Sequence, residues 1–206
     1  MSNSSRKALV VNAVLLLGTA LWTSRLEARG AYVPSATCPH SSVVVIQPSS
    51  VADCDPGTSP LNFSGSIRQE ITAQGIDSED HSYAQLQVTS FQMTANHPLF
   101  GRIQLALDTT RPRPVSTLRS VNPGSEFPVI HTTRLYVTGV ADSLPGVVLQ
   151  SQGDPVEFVG NPSATWPPTS NVYTLQKNVV FEDRAHPGTA LITACAGAVG
   201  VTGHQP

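Results

Sequence analysis

Charged residues are scarce in this chain of 206 residues. They make up 13% of it, about half of the roughly 25% that is usual for soluble domains, while hydrophobic residues make up 40%. This shortage argues against a charge-rich helical bundle, a coiled coil and a charged disordered chain. The net charge of −2 provides no basic surface for a nucleic-acid backbone, so we expect no nucleic-acid partner.

A sustained helical period is also missing, and a period of two takes its place. Ile103, Leu105 and Leu107 alternate with Gln, Ala and Asp, and 17 prolines and 15 glycines separate runs of this kind. In the run over residues 83–94 the apolar phase changes near Thr89 and Ser90, which predicts a β-bulge. The sequence therefore predicts an all-β domain, an antiparallel Greek-key-like β-sandwich, with a β-barrel as the alternative.

The N-terminal segment has the pattern of an export signal. Arg6 and Lys7 precede an apolar run over residues 8–22, and at 15 residues this run is shorter than the about 20 needed to span a membrane. Leu-Glu-Ala at residues 26–28 provides a cleavage site. We predict a cleavable signal peptide over residues 1–28 and no membrane span after its removal, with a retained N-terminal anchor as the alternative. The protein is then expected in the cell envelope or outside the cell.

The mature chain divides by composition into two parts. Residues 29–60 are rich in serine and proline and form a lead-in with one predicted strand at residues 43–46. Residues 61–206 carry the alternating pattern almost throughout and form the predicted β-sandwich domain.

Three cysteines follow the signal peptide, and an exported protein can keep disulfides. Three cysteines allow one bond in three pairings. We favour Cys38–Cys54, the local pairing, because it would clip the lead-in. Cys195 continues an alternating strand pattern, which is typical of a small buried residue, although a bond from Cys195 to either N-terminal cysteine stays open.

An acidic turn over residues 77–81 is a candidate calcium site. Asp77, Glu79 and Asp80 supply the carboxylate oxygens that calcium prefers, at the end of a predicted strand. Their spacing does not match an EF-hand loop, so the alternative is a solvated turn. We predict no other cofactor.

Two further residues invite a functional interpretation. Trp166 lies in a proline-stiffened loop, where it could stack on a sugar or anchor a partner, or instead cap the core. His131 is in phase with Val129 and Leu135, which indicates an interior histidine with satisfied hydrogen bonds. The segment around Ser125 lacks the second glycine of a nucleophile elbow. We therefore assign no catalytic or cofactor-binding residue.

Residues 122–128 read Asn-Pro-Gly-Ser-Glu-Phe-Pro, and they precede the longest apolar stretch and then a turn at Leu144 and Pro145. This arrangement resembles exported bacterial β-rich proteins of unknown function, over roughly residues 82–194. The resemblance implies a secreted or envelope β-rich domain and supplies no activity.

These observations leave three functional hypotheses. The first is a non-catalytic structural, adhesion or protein-binding domain of the envelope or extracellular space, with a protein or polysaccharide surface as partner. The second is a carbohydrate- or calcium-binding module that uses Trp166 or the acidic turn. The third is a secreted hydrolase.

Overall fold

The computed structural model describes residues 35–44, 46–48, 54, 60–167 and 170–202. Every regular element within these residues is a β-strand. The described residues contain no helix that is long and apolar enough to cross a membrane. The signal peptide predicted over residues 1–28 lies outside the described residues. The strands are β1 (Ser35–Val44), β2 (Ile46–Pro48), β3 (Leu61–Ile76), β4 (Ser82–His97), β5 (Gly101–Leu107), β6 (Ser116–Ser120), β7 (Val129–Leu135), β8 (Val137–Ala141), β9 (Leu149–Ser151), β10 (Val156–Gly160), β11 (Ser170–Leu175), β12 (Val179–Asp183), β13 (His186–Ala194) and β14 (Gly197–Thr202).

These strands form one antiparallel sheet that divides at β4. Along one edge β4 pairs with β3; along the other its first part pairs with β6 and its last part with β5. The first leaf continues from β6 through β7, β10, β11 and β14, and the second leaf continues from β5 through β8, β9, β12, β13 and β2. Leu135 and Val156 of the first leaf share one apolar cluster with Leu149 and Phe181 of the second. The core therefore lies between the two leaves.

Short interruptions connect the leaves. Only Tyr136 separates β7 from β8, and two to four residues separate β9 from β10, β11 from β12 and β13 from β14. Each of these pairs forms one long bent strand that begins in one leaf and ends in the other. The antiparallel, sandwich-like all-β fold predicted from the sequence is confirmed. Its connections follow a meander instead of the expected Greek key, because successive bent strands remain neighbours in the sheet.

The lead-in over residues 29–60 contributes to this sheet at two places. β1 pairs with β3 over ten residue pairs, and β2 pairs with β13 over three. The lead-in thus joins the strand beside β4 to a strand at the far side of the second leaf.

The bulge predicted near Thr89 and Ser90 is confirmed. Arg68 of β3 pairs with Ser90 of β4, whereas the next residue, Gln69, pairs with Val88. Thr89 is the extra residue between them, and it moves the later side chains of β4 to the opposite phase. As a result the apolar residues on both sides of the bulge are buried in the same interior.

The disulfide joins Cys54 to Cys195, across a sequence separation of 141 residues. The predicted bond between Cys38 and Cys54 is therefore wrong, because the sulfur of Cys54 is already bonded. The strand pairing gives the reason: Cys38 lies in β1 opposite Ile67 of β3. Cys195 instead directly follows β13, the strand that pairs with β2 shortly before Cys54. Proximity in the sequence therefore did not predict which cysteines are bonded.

We expect the double substitution Cys54→Ser and Cys195→Ser to lower the free energy of unfolding by about 2–5 kcal/mol, because the bond closes a long loop. Urea denaturation under oxidising conditions measures this change. Cys38→Ser is the matched control and should leave the stability unchanged. A cross-linked peptide that contains Cys38 in a non-reducing digest would contradict the assignment.

A buried carboxylate follows the end of β5. The side chain of Asp108 is 1% exposed, and its oxygens lie 2.6 Å from the Thr110 hydroxyl, 3.2 Å from Arg111 Nε and 3.0 Å from Arg184 Nη2. Burial by itself would raise the pKa of Asp108, but hydrogen bonds from Thr110, the charge of Arg184 and a hydrogen bond from Arg111 outweigh it and lower that pKa. The Arg111 guanidinium also stacks on the ring of Tyr136, the residue between β7 and β8. The cluster therefore fixes one of the bends between the leaves.

We expect Asp108→Asn to cost about 2–4 kcal/mol at pH 7, because it leaves two partly exposed arginines without their counter-charge. Since the pKa of Asp108 is lowered in the folded state, its contribution is full above the unfolded-state value of about 3.9 and is lost as the pH falls through the folded-state pKa. Denaturation curves between pH 7 and about pH 2 should show the difference between wild type and variant shrinking in acid.

The control for this experiment is Asp154→Asn, which removes an exposed carboxylate paired with Lys177. It should leave the stability close to that of the wild type, because solvent screens this exposed ion pair. An Asp108→Asn penalty that stays constant down to about pH 2 would count against the ionised carboxylate as its source.

Candidate functional site

The interior holds two apolar clusters with polar side chains between them. The inward-facing residues of β7 show this succession from one cluster through polar side chains to the other. Val129 belongs to the small cluster and Leu135 to the large one. The small cluster consists of Ala84, Leu86, Leu118, Val129 and Trp166. Between them, His131 and Thr133 point to the same interior and are 5% and 4% exposed. Polar residues therefore occupy two successive inward positions of a core strand.

The same order recurs on β3. Ile71 packs against the small cluster, Ile67 belongs to the large cluster, and Gln69 between them is 4% exposed. On β11 the buried side chain at this level is Tyr173. We call Gln69, His131, Thr133 and Tyr173 the polar layer.

Hydrogen bonds run through the whole polar layer. The amide of Gln69 donates to the Thr133 hydroxyl at 3.2 Å, and Thr133 Oγ1 lies 3.0 Å from His131 Nε2. His131 Nδ1 lies 2.7 Å from the Tyr173 hydroxyl. Gly160 stands opposite Tyr173 on β10, and a Cβ there would lie 2.9 Å from the tyrosine ring, so glycine makes room for it. The interior histidine predicted from the phase of β7 is confirmed.

Trp166 belongs to the small cluster and not to the surface. Its side chain is 9% exposed, and its ring meets His131 edge-on with 4.7 Å between centroids. The indole Nε1 has no hydrogen-bond partner in the described structure. Stacking on a sugar requires an exposed ring face, and this burial does not provide one. The position corresponds to the alternative expectation, in which Trp166 caps the core.

The acidic turn is organised around an arginine. Arg119 of β6 lies 2.8 Å from an oxygen of Asp77 and 2.6 Å from one of Glu79. The hydrogen bond from Arg119 is the main reason why the pKa of Asp77 is lowered. Asp80 has a left-handed backbone (φ 64°), and its carbonyl accepts a hydrogen bond from the amide of Gly124 at 2.8 Å. Nowhere in the described ranges do three or more His, Cys, Asp or Glu residues form a group that could hold a metal ion.

A cavity of about 50 Å³ lies between the two leaves in the large cluster. All of its lining side chains are apolar, and four of them are phenylalanines. They are Phe63, Phe91, Met93, Leu105, Val137, Val156, Phe158, Leu175, Val179, Phe181 and Ala194. The volume exceeds the roughly 10–15 Å³ that one water molecule needs.

The position of the cavity follows the bends of the long strands. Val137, Val156 and Val179 are the first residues of β8, β10 and β12, and Leu175 and Ala194 are the last residues of β11 and β13. The cavity therefore lies along the line where these strands pass from one leaf to the other.

Two of the lining side chains are only half-buried, Leu105 on β5 and Phe158 on β10, while the others are buried. These two residues mark the part of the wall that comes nearest to solvent.

Gln69, Thr133 and Tyr173 were not predicted from the sequence as functional residues. A signal existed, because Gln69 is in phase with Ile67 and Ile71, and Thr133 is in phase with Leu135. A polar residue at an inward position of an apolar strand indicates a buried hydrogen bond. What the sequence does not contain is the partner, which comes from a strand 64 residues away in the case of Gln69.

No family model matches this chain, and no curated protein matches it. Among solved structures it is similar to DynF from the dynemicin biosynthesis pathway of Micromonospora chersina, with a TM-score of 0.63 and 14% sequence identity. The similarity covers 87% of this chain and 88% of that chain. At this identity it shows a shared fold alone.

We expect Trp166 to fluoresce as a buried indole. In a Trp22→Phe variant it is the sole tryptophan, and its emission should lie at shorter wavelength than in the unfolded chain and be poorly quenched by iodide. Val172→Trp in a background without the two native tryptophans supplies an exposed reference on β11. Equal quenching of both proteins would contradict the burial of Trp166.

Proposed function

We propose that this protein is a non-catalytic, exported binding protein whose ligand is a small apolar molecule held in the interior cavity. The observation that carries the proposal is the cavity between the leaves, which is lined only by apolar side chains. Small-molecule sites are typically concave and mostly apolar. The proposal keeps the expectation of an exported domain that acts by binding and specifies what it binds.

The chemistry of the wall favours an apolar occupant. Water in the cavity would lose hydrogen bonds, because the lining side chains offer no strong donor or acceptor. An apolar molecule gains about 25 cal/mol for each Å² of surface that it removes from water. Phe63, Phe91 and Phe181 also offer ring faces and edges, and the Met93 sulfur is polarisable.

The volume limits the size of the ligand. About 50 Å³ is well below the roughly 300–1,000 Å³ of sites for drug-sized molecules, so the ligand is a single ring or a short chain. Met93 has a flexible side chain, and Leu105 and Phe158 are half-buried. Outward rotation of Leu105 and Phe158, with adjustment of the Met93 side chain, would supply the remaining room.

Two observations support an extracytoplasmic location. The N-terminal sequence has the pattern of a signal peptide, and the disulfide between Cys54 and Cys195 is consistent with an oxidising compartment.

We expect toluene to bind the protein and to raise its melting temperature, because a ligand that binds only the folded state stabilises it. Calorimetric titration in sealed cells measures the affinity. Ala194→Leu should abolish binding, because the larger side chain fills the cavity from β13. Ala190→Leu places the same side chain at an exposed position of the same strand and should leave binding unchanged.

Absence of toluene binding to the wild-type protein would refute the proposal. Binding that survives Ala194→Leu would place the ligand elsewhere, and it would equally refute the assignment to this cavity.

A further inference from the structure

On the basis of the proposed function, we propose that the ligand carries one uncharged hydroxyl group and that Gln69 and Thr133 of the polar layer hold this group at one side of the cavity. The cavity wall specifies the apolar body of the ligand, and the polar layer specifies its single polar group.

The strand register places the polar layer beside the cavity. Thr133 of β7 is the direct partner of Phe158 of β10, and Phe158 is the direct partner of Leu175 of β11. Directly opposed residues on neighbouring strands point to the same face, with Cβ atoms about 4.5–5.5 Å apart. Because Phe158 and Leu175 line the cavity, the Thr133 side chain stands in the same row as its wall.

The polar layer has hydrogen-bonding capacity left. Thr133 is the only hydrogen-bond partner of the Gln69 side chain among the described residues, so the amide oxygen of Gln69 can accept a further bond. A hydroxyl oxygen has two lone pairs, and Thr133 accepts one bond from Gln69; its second lone pair is free when its own proton is donated to His131 Nε2. Both side chains are about 96% buried, where unmade hydrogen bonds are costly. A ligand hydroxyl can donate to either oxygen.

The charges of the structure disfavour an anionic ligand. Each arginine in the described ranges is either exposed or bound to a carboxylate, as Arg111 and Arg184 are to Asp108. Both nitrogens of His131 are engaged by Thr133 and Tyr173. A carboxylate would therefore be buried without a cationic partner, which is far more costly than burying a hydroxyl group that finds one.

Three ligands with the same ring test this inference on the wild-type protein at pH 7.5: toluene, benzyl alcohol and benzoate. Benzyl alcohol should bind at least as tightly as toluene, although water solvates its hydroxyl better, and benzoate should bind at least about tenfold more weakly than benzyl alcohol. An apolar wall alone would instead favour toluene over benzyl alcohol by about tenfold.

Two near-isosteric variants assign the hydroxyl to the polar layer. Thr133→Val and Gln69→Leu should each weaken benzyl alcohol by about tenfold and leave toluene within about twofold. Thr132→Val is the matched control, because this neighbouring threonine points to the outer face of β7, and it should change neither affinity. The ranking of the three ligands on the wild type decides the inference even if a variant fails to fold.

The outcomes separate this inference from the proposed function. If toluene does not bind, the proposed function fails, and this inference fails with it. If toluene binds about tenfold more tightly than benzyl alcohol, or benzoate binds most tightly, the binding function stands and the hydroxyl inference is overturned. Equal loss of both ligands in the Thr133 and Gln69 variants would likewise overturn it, since a merely structural role of the layer predicts that result.

Discussion

The polar layer is the tightest constraint on the interior of this protein. Gln69, His131, Thr133 and Tyr173 are at most 5% exposed, and each buried polar group without a partner would cost about 1–3 kcal/mol. Their hydrogen bonds form only when β3, β7 and β11 keep one relative register, because a shift by one residue turns every side chain to the opposite face. The layer therefore fixes β3 and β11, two of the strands that line the cavity, relative to β7.

The bends between the leaves are a second constraint, and specific interactions secure them. An interruption removes ladder hydrogen bonds, so the chain needs other contacts at these points. Arg111 stacks on Tyr136 between β7 and β8 while it also binds Asp108. Cys195 lies between β13 and β14, and its disulfide ties that bend to Cys54. The Arg111 contacts and the disulfide therefore stabilise bends at which the strand ladder is interrupted.

More of the fold than of the site could be predicted from the sequence, because the two depend on different kinds of information. Alternation and turn residues are local, so the strands and even the extra residue at Thr89 could be read from one segment at a time. The bond between Cys54 and Cys195 depends on which strands pair, and the alternation of single strands carries no such information. Trp166 was ambiguous for the same reason, since its loop is proline-rich whether the ring faces solvent or the small cluster.

The cavity is a consequence of these two constraints together. Five of its lining residues begin or end a strand at the bends, where the ladder is interrupted, and rigid phenylalanine rings cannot fill irregular space there as closely as flexible side chains would. The small cluster cannot fill the gap, because the hydrogen-bonded layer of Gln69, Thr133 and His131 stands between the two clusters. The cavity therefore has one apolar side along the bends and one side that borders polar groups. Any ligand it accepts is oriented by that difference, with its apolar body towards the bends and its polar group towards the layer.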